Sequence, residues 1–430
     1  MRALLASVGA LLGSAALLLL ANGMQGSLLA YRAGIEGFAP LAIGGIMTCY
    51  SLGFVLGTRR CPAVIERVGH IRAFAAFAAV VSTVSVLHGV LVGPVVWFAL
   101  RFLGGLCTAG LMMVIDSWLN SRAQNQNRGT LLAFYMVINL GANGTGQQLL
   151  TVATPDTILP FVLGSCLFSL ALVPIALSQA VAPSPIPTRR LGIRALYAIS
   201  PLGLAGAFAA GLGGSAFWGM APVFGQQAGL GLDQTALFLT AVLTGGALVQ
   251  WPVGWLSDHI DRRAVLTGAA LALALAALAV AHTPAGWLLP MAVVFGGCQM
   301  VIYSLSVAHT QDSMVEGNAL QASSGLLFVW ASGSILGPLL AAGTMSLLGP
   351  QGLFFMITAT AASLGAFGLF RMTVRAAPSA AERGPFVVVP QTSPAGKALD
   401  PRLARPAGDD RGALAEARER GFAISSRGSR

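Results

Sequence analysis

Charged residues are scarce in this sequence. Only 9% of the 430 residues are Asp, Glu, Lys or Arg, and Lys397 is the single lysine. A soluble domain needs about a quarter of its residues charged to cover its surface. The scarcity therefore excludes an ordinary soluble domain and indicates a chain whose main solvent is lipid.

Paired cysteines and phosphate-binding loops are also missing. The cysteines show no CxxC or CxxH spacing, and they are Cys49, Cys61, Cys107, Cys166 and Cys298. An odd number of scattered cysteines does not form a complete disulfide framework, and in apolar segments cysteine behaves as a small hydrophobe. We therefore expect no metal site and no cofactor. The absence of a GxxxxGK[ST] loop argues against an ATP-driven pump within this chain.

Long apolar stretches are what the sequence has in abundance. A helix needs about 20 apolar residues to cross a bilayer core. Two sets of six such segments occur, at 4–25, 40–58, 73–92, 95–115, 130–151, 158–179, 199–222, 234–253, 264–282, 286–307, 319–345 and 351–372. The first follows Arg2, as a signal peptide would, but it exceeds the roughly 7 to 15 apolar residues of a signal peptide, so we interpret it as an uncleaved span. The sequence predicts an all-α membrane protein with twelve transmembrane helices in two six-helix bundles.

Composition shifts divide the chain into four parts. Residues 1–180 and 199–376 are the predicted N-terminal and C-terminal six-helix transmembrane halves. Residues 181–198 hold three prolines and three arginines, which suits a cytoplasmic linker. The tail at 377–430 is rich in Pro, Ala, Gly and Arg, and we predict it to be a disordered cytoplasmic segment.

The net charge of +10 comes from arginines that lie between apolar blocks. This pattern differs from the clustered basic face of a nucleic-acid-binding protein, so no nucleic acid partner is expected. Of the arginines that lie in connections between predicted spans, all but one fall in alternate connections, namely Arg59, Arg60, Arg67, Arg72, Arg122, Arg128, Arg189, Arg190, Arg194, Arg262 and Arg263. The other connections hold only Arg32. Since basic residues near span ends stay in the cytoplasm, both termini are predicted to be cytoplasmic.

One connection concentrates charge in the stretch GWLSDHIDRRAVL, which begins at Gly254. Gly254 would allow close helix approach, and Asp258 could accept hydrogen bonds from a helix N-terminus. Arg262 and Arg263 could anchor the turn and pair with acids. The cluster either fixes topology alone or also biases which side of the protein is open.

A second copy of this stretch lies in the first half, in PAVIERVGHIRA. When Glu66 is aligned with Asp258, Arg67 aligns with His259, Gly69 with Asp261 and His70 with Arg262. The agreement in position predicts an internal repeat of six helices. The gate candidates are Glu66, Arg67, Gly69, Arg72, Asp116, Arg128, Gly254, Asp258, Arg262 and Arg263.

The sequence resembles the major facilitator superfamily. GWLSDHIDRR fits that family's signature loop, roughly G-x-L-x-D-r-x-g-r-r, with Asp261 where glycine is commoner. RFLGGLCTAG is similar to the family's R-x-x-x-G element, with Arg101 and Gly105 in the matching places. DSWLNSRAQNQNRGTLLAFYM, AFWGMAPVFG and YSLSVAHTQD resemble a bacterial YcaD-like subgroup. The first-half loop departs from the pattern, since Pro62 takes the glycine position and Glu66 that of the usual aspartate.

The resemblance implies a secondary transporter of the bacterial inner (plasma) membrane. It would move a small organic solute by alternating access and not act as an enzyme. It would contact the lipid bilayer and is expected to act as a monomer, with proton coupling left open. A transporter-like sensor or scaffold and an integral-membrane enzyme remain as alternatives, although Asp258 and Asp261 lack the second acidic loop of a two-site metal clamp.

The resemblance also implies that spans 1, 4, 7 and 10 line a central cavity. Their polar and aromatic residues are Asn22, Gln25, Arg101, Thr108, Trp218, Gln299 and Tyr303. Arg101 is the only basic residue deep in a predicted span, and its guanidinium would suit an anionic ligand. In span 5, Asn139, Asn143 and Gln147 form one stripe, which could hold two helices together or face the substrate.

Asp116 lies too far along span 4 to pair with Arg101. It could bond Arg128 or Arg122 across the next turn, or simply be solvated at a helix end. Glu36, beside Arg32 in the first outer loop, could join a proton path or be a solvated loop acid.

Overall fold

The computed structural model describes residues 2–123, 126–177, 191–314, 319–374, 384, 386–388, 391 and 400. Within these residues, every regular element is a helix. The described part of the chain thus confirms the predicted all-α fold.

The α-helices fall into two groups separated by residues 178–190. The first group is α1 Arg2–Ile35, α2 Pro40–Val68, α3 His70–Val90, α4 Pro94–Arg122, α5 Arg128–Gln148, α6 Leu159–Leu170 and α7 Leu172–Ala176. The second group is α8 Ile193–Ile199, α9 Pro201–Gln227, α10 Leu232–His259, α11 Arg262–His282, α12 Leu288–Asp312, α13 Ala319–Leu348 and α14 Gly352–Val374. Single 3₁₀ turns lie at Leu149–Thr151 and Ala285–Trp287.

Eleven stretches in the described residues are long and apolar enough to cross a membrane, with α6 and α7 together forming one of them. The protein is therefore a multi-pass membrane protein. The predicted fifth span, α5, is not among the eleven, although it has 21 residues. Its polar stripe of Asn139, Asn143 and Gln147 reduces its apolar character. A helix with such a stripe needs protein neighbours, and α5 packs between α1 and α10.

The helices extend beyond the predicted apolar segments. Helix α2 continues to Val68 and α10 to His259, so Glu66 and Asp258 lie in last helical turns instead of loops. The turn between α2 and α3 is the single residue Gly69, whose φ of 85° lies in the left-handed region that favours glycine. Charged residues end these helices because the polar interface, unlike the bilayer core, accepts them.

The helix bounds agree with the predicted repeat. His70 and Arg262, which the alignment pairs, are the first residues of α3 and α11. Gly69 and Asp261, also paired, are the residues immediately before those helices. Two sequences that differ in chemistry therefore begin the following helix at the paired position, although the turn is one residue long before α3 and two residues long before α11.

Contacts between the two halves concentrate at one end of the bundle. We call the helix ends that carry Arg59, Arg60, Arg262 and Arg263 the basic end. The other end, where these contacts concentrate, we call the opposite end. Near the opposite end, a side chain at Gly44 would overlap Pro338 and Ala342. There too, Gln148 Nε2 donates to Thr240 Oγ1 at 2.6 Å and to Ala236 O at 3.1 Å. At the basic end, Arg59 lies over the ring of Phe328 at 5.1 Å.

The predicted linker and tail fall partly outside the described residues. Residues 191–198 of the linker are described, and they include most of the short helix α8. Leu191 N donates to Gln321 O at 3.1 Å, and Leu196 is buried. Most of the tail for which disorder is predicted lies outside the described residues, while its described positions contact the helices.

Candidate site in the central cavity

A cavity of about 390 Å³ lies between the two halves. It is lined from the first half by α1, α2, α4 and α5, and from the second by α9, α10, α12 and α13. Its volume suits a small organic molecule. Its polar lining is dominated by amides and hydroxyls, and it includes no Asp or Glu among the described residues.

Arg101 is the charged group of this cavity. Its side chain is 8% exposed, and its guanidinium carbon lies 4.3 Å from the centre of the Tyr50 ring. Its Nη2 donates to the sulfur of Met47 at 3.3 Å, while no acceptor reaches its Nε within the described residues. Tyr50 is itself held by a 2.9 Å hydrogen bond from its hydroxyl to Asn22 Oδ1. A ring face and a thioether thus fix the orientation of the guanidinium without neutralising it.

Close packing of α4 on α2 places Arg101 beside Tyr50. Gly105 lies one turn along α4 from Arg101, and a Cβ at Gly105 would overlap the backbone carbonyl of Tyr50. At neighbouring Gly104, an added Cβ would meet only Val84 Cγ1, at an ordinary 3.6 Å. The sequence element with Arg101 and Gly105 therefore combines a cavity cation with the close contact that supports it.

We expect Gly105→Ala to lower the free energy of unfolding by about 1–3 kcal/mol, because overpacking would force α4 from α2. Gly104→Ala is the matched control, since it makes the same change one residue away with room for the methyl group. Denaturant unfolding of purified protein in detergent measures both. Equal losses for the two variants would contradict the proposed role of this contact.

The amide stripe of α5 lies against α1 and also borders the cavity. Asn139, Asn143 and Gln147 all line the cavity. Gln147 Nε2 also donates to Gly23 O of α1 at 2.9 Å, and Asn143 Nδ2 donates to Asn139 O at 2.8 Å. The stripe therefore connects α5 to α1 and borders the cavity.

The second half contributes Trp218 and Gln299, as expected from the resemblance, and also Gln250, Trp330, Ser215 and Ser334. Two buried side-chain oxygens, Gln299 Oε1 and Gln147 Oε1, receive no hydrogen bond within the described residues. Buried acceptors of this kind are costly unless water or a ligand donates to them. The cavity thus offers a cation together with vacant amide acceptors.

Two predicted lining residues lie elsewhere. Gln25 accepts a 2.9 Å hydrogen bond from Ser85 and borders a small adjoining cavity of about 20 Å³. Tyr303 is 1% exposed and packs against Trp330 with ring centres 6.2 Å apart. The family resemblance indicates which helices line the cavity but not which face of each helix is turned toward it. The rotation of their helices turns Gln25 and Tyr303 away from the cavity.

Sequence reasoning missed the contribution of α2. Met47 and Tyr50 both touch Arg101 and line the cavity. Tyr50 could have been found from the sequence, since it is the only tyrosine in its predicted span and could have been paired with the only deep arginine.

A second group of charges lies at the basic end. Arg262 is 2% exposed, and its guanidinium contacts Asp258 and Asp312, each at 2.7 Å. Asp312 is the last residue of α12, which sequence reasoning did not include. The three residues, which we call the basic-end cluster, join α10, α11 and α12.

The cluster differs from the prediction in two respects. Asp261, and not Asp258, caps the N-terminus of α11, by accepting from Arg263 N at 3.0 Å. Asp261 also pairs with the Arg263 guanidinium at 2.8 Å. A Cβ at Gly254 would overlap the ring of Phe386 in the tail, so this glycine makes room for the tail instead of another helix.

The first-half counterpart forms no such cluster. Glu66, Arg67 and Arg72 are exposed and make no ion pair within the described residues. Asp116 is fully buried in α4, and Arg128 is the first residue of α5. Near the opposite end, Glu36 pairs with Arg32 at 2.5 Å, and Arg32 also donates to Pro155 O.

The chain is similar in sequence to a known protein family and to individual members of it. The family model described as Major Facilitator Superfamily matches residues 203–405. The MFS-type transporter YcaD of Salmonella newport (strain SL254) is 25% identical over 323 residues, which are 74% of this chain and 84% of that protein. The chain is therefore similar to major facilitator superfamily transporters, in its second half by the family model and over about three quarters of its length by YcaD. The similarity to YcaD agrees with the resemblance of the sequence motifs to the YcaD-like subgroup.

Solved structures have the same fold. The nucleoside transporter NupG matches with a TM-score of 0.71 and 13% identity, covering 85% of this chain and 99% of NupG. A bacterial homolog of the human lysosomal transporter Spinster, in an inward-facing and occupied conformation, matches with a TM-score of 0.68 and 14% identity, covering 88% and 97%. At these identities the likeness shows the fold alone, which is the fold of these membrane transporters.

Proposed function

We propose that the protein is a secondary transporter that carries a small organic anion through the central cavity by alternating access. The observation that carries this proposal is Arg101, a buried cation that no acidic side chain contacts within the described residues. A buried charge is costly unless an opposite charge compensates it. An anionic group on the substrate would supply that charge and accept from the vacant Nε of Arg101.

The remaining lining supports a substrate that also carries hydrogen-bond donors. Gln147 and Gln299 each present a buried oxygen without a donor. A hydroxyl, amino or amide group on the anion would satisfy these oxygens. We propose Asn22, Asn139, Asn143 and Trp218 as further contacts because they line the same cavity.

In the proposed cycle the two halves rock about the cavity. Their concentrated contacts at the opposite end favour a state closed on that side. The basic end is proposed to be cytoplasmic and the membrane to be the bacterial inner membrane, because arginines retain their connections in the cytoplasm. We propose that the basic-end cluster forms the gate of the second half. Asp116 and Arg128 are the proposed gate residues of the first half. One chain holds the whole cavity, which supports function as a monomer.

Proton coupling is proposed to use the substrate's own acid group. The cavity lining includes no carboxylate among the described residues, and Glu36 is engaged with Arg32. A proton carried on the anion needs no such side chain.

Thermal unfolding in detergent tests the proposed substrate class. The panel contains monocarboxylates, dicarboxylates and phosphate esters, each with its neutral amide, methyl ester or alcohol counterpart. We expect at least one anion to raise the melting temperature while its neutral counterpart does not, since a ligand at 100 times its Kd stabilises by about 2.7 kcal/mol. Stabilisation by neutral members alone would contradict an anionic substrate.

A further inference from the structure

The tail beyond the last transmembrane helix contacts the basic-end cluster through its backbone. Gly384 O accepts from Arg262 Nη2 at 2.8 Å, and Gly384 N donates to Asp312 Oδ1 at 3.2 Å. Phe386 N donates to Asp258 Oδ1 at 2.8 Å. Hydrogen bonds to charged groups are the strong ones, so these three give the tail a defined position.

The side chains that follow touch both halves of the transporter. Phe386 fits against Gly254 and packs on the larger core cluster, which includes most buried residues of the second half. Val387 packs on the other cluster, whose members all belong to the first half. Two neighbouring residues of the tail thus bridge the halves.

Asp400 provides a second bridge. It is 1% exposed and accepts from Gln311 Nε2 of α12 at 3.3 Å. It also interacts electrostatically with Arg128 of α5, in the first half. A carboxylate as buried as this is retained only with such partners.

The tail also reaches the central cavity. Val388 and Gln391 are part of its lining, together with Arg101 and Gln299. Space that a substrate would use on its way from the basic end is therefore partly filled by the protein's own chain.

We propose that the described tail residues form an intramolecular clasp that bridges the two halves and obstructs the basic end of the cavity. We call Gly384, Phe386, Val387, Val388, Gln391 and Asp400 the tail clasp. The clasp favours the state in which these contacts are made, so the movement of the halves requires its release. This inference rests on the proposed function only in treating the cavity as the substrate's path.

Cysteine accessibility tests the clasp without a known substrate. Ser215 lines the cavity and is half-buried, so Ser215→Cys reports access. The protein in detergent is labelled with N-ethylmaleimide, and mass spectrometry of peptides separates this site from the five native cysteines. Deletion of residues 384–430 should raise the labelling rate by at least about tenfold, since losing even one of the three hydrogen bonds to charged groups corresponds to that change.

Deletion of residues 401–430 is the matched control, since it leaves every described clasp residue in place. It should label at the rate of the full chain. Equal rates for the two deletions, or no increase in either, would overturn the clasp.

Point variants of the full-length chain test the clasp independently of whether the shortened chain folds. Phe386→Ala and Asp400→Asn should each raise labelling of Ser215→Cys severalfold, whereas Asp409→Asn should not. If neither Phe386→Ala nor Asp400→Asn raises it, the clasp is wrong. Anion-dependent thermal stabilisation with unchanged labelling would refute the clasp alone, and increased labelling without any anion effect would refute the proposed substrate class alone.

Discussion

Replacing Arg101 with methionine should lower affinity for the transported anion by about 100-fold. Methionine keeps much of the side-chain volume but removes the only cavity cation in the described residues. A hydrogen bond to a charged group contributes about 1.5–3 kcal/mol, and each 1.4 kcal/mol is tenfold in affinity. Equilibrium binding of the radiolabelled anion found in the thermal screen measures the loss.

Two further variants separate charge from geometry. Arg101→Lys keeps the charge but lacks the planar fork, so roughly a tenfold loss is expected. Arg67→Met removes an exposed arginine at the basic end and should leave affinity unchanged. Full affinity in Arg101→Met would refute direct recognition of the anion by this residue.

Replacing Asp312 with asparagine should lower the free energy of unfolding by about 3 kcal/mol. Breaking a buried ion pair from one side typically costs about 3–5 kcal/mol, because the other charge remains buried. Arg262 would retain Asp258, whose side chain is 34% exposed, so the lower part of that range applies. Denaturant unfolding in detergent micelles, followed by circular dichroism, gives the value.

The repeat offers a matched control for this experiment. Glu66→Gln neutralises the residue aligned with Asp258, at an exposed position without an ion pair in the described residues. Its effect should stay within about 0.5 kcal/mol. A similar loss in both variants would mean that the basic-end cluster adds no specific stability.

The membrane-spanning architecture could be predicted because its cause is local. A helix that spans lipid must be apolar and of sufficient length, so a short window of sequence suffices to find it. The same logic singled out Arg101 as a candidate, since a charge deep in an apolar span is costly to bury. The helix pairs around Gly69 and Asp261 also followed from position alone, through the repeat.

The limits of the helices and of the site were less predictable. Helix α2 continues to Val68 because polar residues are acceptable in a helix once it leaves the bilayer core. Gln25 and Tyr303 were placed on lining helices but not on their lining faces, because packing against neighbouring helices sets each rotation.

The sequence by itself determined the membrane environment, the paired halves and the buried cation. Only the tertiary structure decided which groups meet that cation, and that Arg262 joins Asp312, 50 positions away. It alone brought Phe386 of the tail to Asp258 across 128 positions. The physical reason is that hydropathy acts on each segment separately, whereas these contacts require helices and tail to be packed together.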